Sequence, residues 1–225
     1  MQMLVFSLIA VAIGGMIEMI PTFLVKSNIP TISSVKPYTP LELHGRDIYV
    51  REGCYLCHSQ MVRPFRDEVA RYGEYSKAGE FVYDHPFQWG SKRTGPDLAR
   101  VGGKYPDSWH YNHMLDPTSM SPGSIMPNYN WLFDHEIDTN RTETMIRAMQ
   151  RLGVPYPAGY ATQANCDLVS QAASIKASLK GDKLGVGSNK EIVALIAYLQ
   201  RLGKDIRAAP KEQTAVKDGQ QVIGN

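Results

Sequence analysis

The stretch Cys54-Tyr55-Leu56-Cys57-His58 decides how the rest of the chain is interpreted. C-x-x-C-H is the attachment signature of c-type haem: the two thiols form thioethers with the porphyrin vinyl groups, and the adjacent histidine binds the iron. A zinc site would need two more ligands at suitable spacing, and Cys166 is the only other cysteine. A redox dithiol would belong in a βαβ unit, which this Pro-rich sequence does not indicate. The motif therefore predicts covalent haem on Cys54 and Cys57, with His58 as an iron ligand.

The composition limits the class of protein without identifying a partner. The 225 residues include 24 Lys and Arg and 22 Asp and Glu, so the net charge is only +2. This balance does not indicate a nucleic-acid partner. Three cysteines give no disulfide framework, and Cys166 is expected to be a small thiol that is at least partly buried. Covalent haem places the domain on the outer face of an energy-transducing membrane, here the bacterial periplasm.

The N-terminal segment from Met3 to Val25 is almost wholly apolar, interrupted by Glu18 and Pro21. As a helix it would be about 34 Å long, enough to cross a bilayer. A cleaved signal peptide is the alternative, but the basic n-region and the A-x-A site are missing. We expect residues 1–27 to be an uncleaved, single-pass anchor in the inner (cytoplasmic) membrane, with its C-terminal end outside.

Two features of this anchor indicate contact with protein. A carboxyl such as Glu18 costs up to about 2.5–3.5 kcal/mol at the centre of a bilayer. It either reaches interfacial water or bonds to a partner subunit. Gly14-Gly15, one turn earlier, allows another helix to approach closely. Together these residues favour a helix that packs on another subunit.

Two helices are expected to cross beside the haem motif. Residues 28–40, with three prolines, form an extended linker. A helix from Leu41, with Gly45 and Tyr49 on one face, then leads into the motif. Its partner is an amphipathic helix from Ile192 to Leu202, opened by a capping box at Ser188–Glu191 and closed by Gly203. This arrangement resembles that of class I cytochromes c.

The remaining segments are interpreted as additions to that domain, which covers residues 41–204. The insertion at about 59–93 is rich in Arg and aromatic residues, so it is either a decorated surface loop or a docking surface. The insertion at about 138–187 holds one helix capped by Asn140 and Glu143 and another at roughly 165–180. Residues 205–225 form a polar tail. The predicted fold is mainly α, with helical and loop insertions and no sheet.

The second axial ligand is expected from the loop Gly123-Ser124-Ile125-Met126-Pro127, which follows a predicted helix at 108–115. Gly and Pro stiffen the loop and hold the Met126 thioether on the iron. Met120, a histidine or an open position remain alternatives, as does a Met126 that only fills apolar space. The other candidate side chains are Met114, His85, His110, His113 and His135. Ligation by His and Met raises the potential and leaves no site for oxygen.

The segment Thr94-Gly95-Pro96-Asp97-Leu98 resembles the Gly-Pro-x-Leu loop of cytochromes c, which covers the proximal side of the haem. By that resemblance, the Pro96 carbonyl accepts the Nδ1–H of His58. Such a bond fixes the ring and raises its basicity.

Several longer segments resemble the mono-haem subunit II of cbb3-type cytochrome c oxidases, the C-family haem–copper oxidases. They lie at the end of the anchor, around the haem motif, before and around the Gly-Pro loop, and around Met126. The segments are Gly14 to Pro21, Gly53 to Pro64, Arg71 to Ser76, Gly90 to Arg100 and Pro122 to Asn128.

The resemblance implies an electron-relay subunit with one haem c and no catalytic site of its own. Electrons would come from a multi-haem c subunit, itself supplied by cytochrome c. They would pass to a catalytic haem b/copper subunit that reduces O2 to water and translocates protons. A calcium ion at the interface with that large subunit is also implied. A free membrane-anchored cytochrome c shuttle and a haem-based gas sensor are the alternatives.

Overall fold

Helices connected by long loops make up the computed structural model, which describes residues 2–24 and 31–208. Short 3-10 turns lie at Cys54–Leu56, Ala78–Phe81 and Thr139–Arg141. Within the described residues the only β pairing is an isolated antiparallel bridge between Glu136 and Lys190. The predicted mainly α class is confirmed. The α-helices are α1 (Gln2–Leu24), α2 (Pro40–Arg51), α3 (Arg66–Tyr72), α4 (Asp107–Leu115), α5 (Pro117–Met120), α6 (Trp131–Asp134), α7 (Thr142–Arg151), α8 (Tyr160–Gly181), α9 (Glu191–Arg201) and α10 (Lys204–Ala208).

The N-terminal helix α1 is long and apolar enough to cross a membrane. Its segment Gln2–Ile20 has a mean hydropathy of 2.3, and none of that segment is buried against the rest of the chain. A side chain added at Gly14 or Gly15 would meet nothing within 4 Å, so this face is open. These features fit a membrane anchor. The predicted linker 28–40 begins outside the described residues, and its part from 31 to 39 forms neither helix nor strand.

Helices α2 and α9 cross in the core, as expected from Gly45. A Cβ at Gly45 would collide with the carbonyl of Ala194 and lie 2.8 Å from the Cβ of Tyr198. Only glycine allows this approach. All residues from Glu191 to Leu199 are buried, which explains why α9 carries apolar residues on more than one face. Helix α2 starts one residue before the expected position, where Thr39 and Glu42 form a capping box.

The capping box expected at Ser188 is wrong. The N-cap of α9 is Lys190, which makes no capping hydrogen bond through its side chain. The Glu191 N–H donates instead to the carbonyl of His135 at 3.1 Å. The Glu191 carboxylate accepts hydrogen bonds from Arg51 on α2 at 2.7 and 2.6 Å. Main-chain pairing with a distant loop therefore replaces the local cap.

Helices α7 and α8 form a second apolar cluster beside α2. Its buried members are Leu43, Ile146, Met149, Val154, Ala161 and Ala164. The cap expected from Asn140 is wrong, because the Asp138 carboxylate accepts the Asn140 N–H at 3.2 Å and α7 begins only at Thr142. Helix α8 begins at Tyr160, five residues before the expected start.

Two further expectations near the C-terminus differ from the structure. Cys166 is exposed, because α8 buries the stripe Ala161, Ala164, Leu168 and Ala172 and the cysteine lies off that stripe. The first residues after Gly203 form α10, in which Ile206 is buried and Asp205 pairs with Arg201. The rest of the expected tail, 209–225, lies outside the described residues. The proposed domain boundaries remain predictions.

Candidate functional site

The predicted attachment motif lies in a tight turn directly after α2. Cys54–Leu56 is a 3-10 helix, and the His58 N–H donates to the Cys54 carbonyl at 2.9 Å. Neither Cys54 nor Cys57 is in a disulfide, and their exposure differs: Cys54 is half-buried and Cys57 is exposed. The turn therefore presents two free thiols immediately before the histidine.

The environment of Cys54 does not suit a reactive dithiol. Burial, with a smaller contribution from Glu52, raises the pKa of the Cys54 thiol to about 12. Redox and metal-binding thiols need the thiolate and therefore a lowered pKa. Within the described ranges, no group of three or more His, Cys, Asp and Glu side chains is arranged to hold a metal ion. Burial is therefore the largest influence on the Cys54 thiol and disfavours its thiolate form.

The His58 ring is held by the Gly-Pro loop. Its Nδ1 lies 2.8 Å from the Pro96 carbonyl oxygen, so Nδ1–H donates to that carbonyl. The other ring nitrogen, Nε2, then carries the lone pair that can bind a metal. Burial lowers the pKa of His58 and favours the neutral imidazole that metal binding requires. The hydrogen bond expected between these two residues is present.

The absence of a side chain at Gly95 makes room for this ring. A Cβ there would lie 2.7 Å from Nδ1 and 2.9 Å from Nε2 of His58. The Gly95 N–H also donates to the Cys57 carbonyl at 2.9 Å, which joins the loop to the motif. The Gly-Pro pair thus has two roles: glycine leaves space for the ring, and proline supplies the acceptor.

The loop that carries Met126 folds back toward the motif. The Tyr129 N–H donates to the Met114 carbonyl on α4 at 2.8 Å, and the Met126 N–H donates to Ser124 Oγ at 3.2 Å. Met126 and Cys54 are both half-buried and pack against the same core cluster. Tyr129 packs against that cluster as well, and burial, followed by Cys54 and Cys57, raises its pKa to about 12.

The other candidate ligands lie in different environments. Met114 and His110 are buried, and Met114 belongs to the main core cluster. Met120 ends α5, and His85 and His135 are exposed. Ile125, next to Met126, is 81% exposed, so adjacent residues of this loop differ in burial. Met126 as the axial ligand remains a prediction that this arrangement favours.

Unpaired buried polar atoms test whether the site fits a haem. The Tyr49 hydroxyl, Trp89 Nε1 and His113 Nδ1 are buried without a hydrogen-bond partner. Trp89 adjoins the motif, because its carbonyl accepts the Gln60 N–H at 2.9 Å. The pKa of Tyr49 is raised by burial and by Tyr198 and Cys54, and that of His113 is lowered by burial and by His58. A bound haem would offer partners to unpaired polar atoms beside the motif, so the residues present fit the group.

Sequence reasoning did not identify several residues that shape this site. Tyr49 was assigned only to a helix face, Trp89 lay only within the insertion at 59–93, and His113 was named only as an alternative iron ligand. For Trp89 and His113 the spacing carries no signal, because long loops separate them from the motif in the sequence. Asp97 and Arg93 were quoted only in the family resemblance, without a role.

Comparison with known proteins gives one informative result. No curated protein matches this chain. The family model described as cytochrome c oxidase, mono-heme subunit/FixO, matches residues 1–206, which include α1, the C-x-x-C-H turn, the Met126 loop and the crossing of α2 and α9. The match extends over most of the sequence, and the chain therefore belongs to the mono-haem subunit/FixO family of cytochrome c oxidase.

Proposed function

We propose that this member of the mono-haem oxidase family is a membrane-anchored electron relay. It would receive electrons from a multi-haem c subunit or a cytochrome c. It would pass them to a catalytic haem b/copper subunit that reduces O2 to water. The observation that carries the proposal is the His58 Nδ1–H bond of 2.8 Å to Pro96, beside two unbonded thiols. The family match supports the same conclusion.

The proposed chemistry is single-electron transfer. A c-type haem supplies a one-electron iron couple when bound. Cys54 and Cys57 would hold the porphyrin covalently, and His58 and Met126 would be the axial ligands. Pro96 keeps the imidazole in one orientation and tautomer. No general acid or base is required, so the chain itself needs no catalytic site.

The proposed location is the bacterial inner membrane, with α1 as a single-pass anchor and the haem domain in the periplasm. Helix α1 buries no residue of its Gln2–Ile20 segment within the chain, which leaves its whole surface for lipid or a partner helix. The Gly14-Gly15 face and Glu18 are suited to contact with the catalytic subunit. A calcium ion at that interface belongs to the same proposal, and its ligands are not assigned to residues of this chain.

A single preparation tests the proposal. The chain is purified from membranes in mild detergent, and its reduced-minus-oxidised and pyridine haemochrome spectra are recorded. We expect one acid-resistant c haem per chain together with haem b from a companion subunit. A haem c chain that runs alone without haem b would favour the shuttle. Ready binding of carbon monoxide to the reduced haem c would favour the gas sensor and exclude Met126 as a firm ligand. Stoichiometric zinc without iron would exclude all three functions.

A further inference from the structure

A buried carboxylate lies beside the hydrogen bond between His58 and Pro96. The side chain of Asp97 is 0% exposed. Its Oδ2 accepts hydrogen bonds from Ser59 Oγ at 2.6 Å and from the Met61 N–H at 2.9 Å. Its Oδ1 accepts the Ala99 N–H at 2.8 Å. Ser59 directly follows His58 and Asp97 directly follows Pro96, so this carboxylate joins the two chain segments that make the His58–Pro96 bond.

Arg93 is shared between this carboxylate and that of Glu68. Its Nε donates to Ser59 Oγ at 2.6 Å, and its Nη2 donates to the Met61 carbonyl at 2.8 Å and lies 3.4 Å from Asp97 Oδ2. Its Nη1 lies 2.5 Å from the carboxylate of Glu68 on α3. The insertion at 59–93 therefore supplies both the cation that faces Asp97 and the helix that holds that cation.

We propose that Asp97 is a positioning residue for the haem iron, acting through Ser59 and the Pro96 carbonyl. It fixes that carbonyl on the His58 Nδ1–H, and its buried charge lowers the reduction potential. The inference rests on the proposed function, in which His58 binds the haem iron.

Two effects of the same sign make Asp97 lower the reduction potential of the haem iron. A firmly held acceptor on Nδ1–H makes the imidazole a stronger donor to the iron, which favours the ferric state. A negative charge in a buried site also favours the more positive ferric iron, and the low local dielectric strengthens this interaction. Loss of Asp97 should therefore raise the potential through both effects.

The main variant is Asp97→Asn in the full chain, expressed with its companion subunits. It keeps the volume of the side chain, removes the charge and brings an amide group against donors that need an acceptor. We expect haem to remain attached. The ferric–ferrous equilibrium should move about tenfold toward the ferrous form, equivalent to about 59 mV for a one-electron couple. Ser59→Ala removes one hydrogen bond to Asp97 and should raise the potential by a smaller amount.

The matched control is Asp47→Asn on α2, which makes the same charge change at a carboxylate that is 43% exposed. The reduction potential of the haem in this control should equal that of wild type. Potentials are measured by redox titration of the haem c absorption band in membranes. The low-spin ferric electron paramagnetic resonance spectrum is recorded in parallel, because its g values respond to the orientation and electron donation of the axial imidazole. A shift of the g values in Asp97→Asn but not in Asp47→Asn would support positioning.

The outcomes separate this inference from the proposed function. An unchanged potential in Asp97→Asn with haem attached overturns the inference, as does an equal shift in Asp47→Asn. A raised potential with unchanged g values leaves only a charge effect and overturns the positioning role. If Asp97→Asn does not accumulate, Ser59→Ala decides by the same two measurements. A wild-type chain without covalent haem would instead overturn the proposed function itself.

Discussion

Gly45 of α2 lies directly against the carbonyl of Ala194 in α9, with no room for a Cβ between them. This contact sets how closely the two helices cross, and the haem motif follows within ten residues of Gly45 in the sequence. The position of the motif therefore depends on the absence of one methyl group.

Gly45→Ala is expected to destabilise the domain. The added Cβ must push apart two backbones in a packed core, which costs about 1–3 kcal/mol. Thermal unfolding, followed by circular dichroism and haem absorption, measures the loss. Gly185→Ala is the control, because a Cβ there meets nothing within 4 Å. Equal melting temperatures for the Gly45 variant and wild type would show that α2 and α9 can separate without cost.

The thioether bonds are tested by removing one cysteine at a time. Cys57→Ala should either lose its haem during assembly or keep it through the single thioether of Cys54, in which case the free vinyl group shifts the α band of the pyridine haemochrome to longer wavelength. Cys166→Ala should keep all of its haem in the acid-resistant fraction, since Cys166 is exposed on α8. Acid-resistant haem is quantified by the pyridine haemochrome spectrum. A Cys57 variant whose haem content and pyridine haemochrome α band both equal those of wild type would exclude attachment through this thiol.

The prediction for Met126 concerns the second axial ligand. Met126→His should keep haem attached but lower its potential, because a second imidazole favours ferric iron more than a thioether does. Redox titration and the thioether-to-iron absorption band provide the measurements. Met120→Leu serves as the comparison and should retain both properties. An unchanged potential and band in Met126→His would exclude Met126, and loss of the band in Met120→Leu would identify Met120 instead.

Much of the fold was predictable because the signals are local. The C-x-x-C-H motif, Gly45 and the amphipathic pattern of α9 lie within single turns or helices, and the Gly-Pro loop came from resemblance to a family. The family assignment is confirmed by the family model. In contrast, the capping box at Ser188 failed because a main-chain bond from Glu191 to His135 replaced it. That bond joins residues far apart in sequence.

In the candidate site, too, local features were predictable from the sequence and long-range contacts were not. The hydrogen bond of His58 to Pro96 follows from the motif and the loop. The ion network of Asp97, Arg93 and Glu68 does not, because its contacts depend on how the insertion at 59–93 folds around the motif. The buried stripe of α8 was likewise hidden, because its small residues Ala161, Ala164 and Ala172 gave no strong apolar pattern. It therefore did not correct the expectation that Cys166 is at least partly buried. Local patterns predicted the candidate ligands, and long-range packing supplies the residues that surround them.

The ion network of Asp97, Arg93 and Glu68 also predicts that the folded state loses stability in acid. Hydrogen bonds from Arg93, opposed by burial and assisted by those from Arg63, lower the pKa of Glu68 to about 2. The folded state therefore holds its carboxylate in the charged form more strongly than the unfolded state, whose pKa is near the ordinary 4.5. This contribution is fully present above about pH 4.5 and is lost as the pH falls toward 2, with an upper limit of about 3 kcal/mol.

The measurement is the free energy of unfolding by urea at pH 6 and at pH 3, for wild type and for Glu68→Gln. Wild type should lose more stability between these two pH values than the variant does, because the variant has no proton to take up at this position. Glu143→Gln, which removes an exposed carboxylate beside Arg147 on α7, is the matched control and should follow wild type. If Glu68→Gln and wild type lose the same stability on acidification, Glu68 does not hold its charge in the folded state. The ion pair between Arg93 and Glu68 would then not stabilise the charged carboxylate.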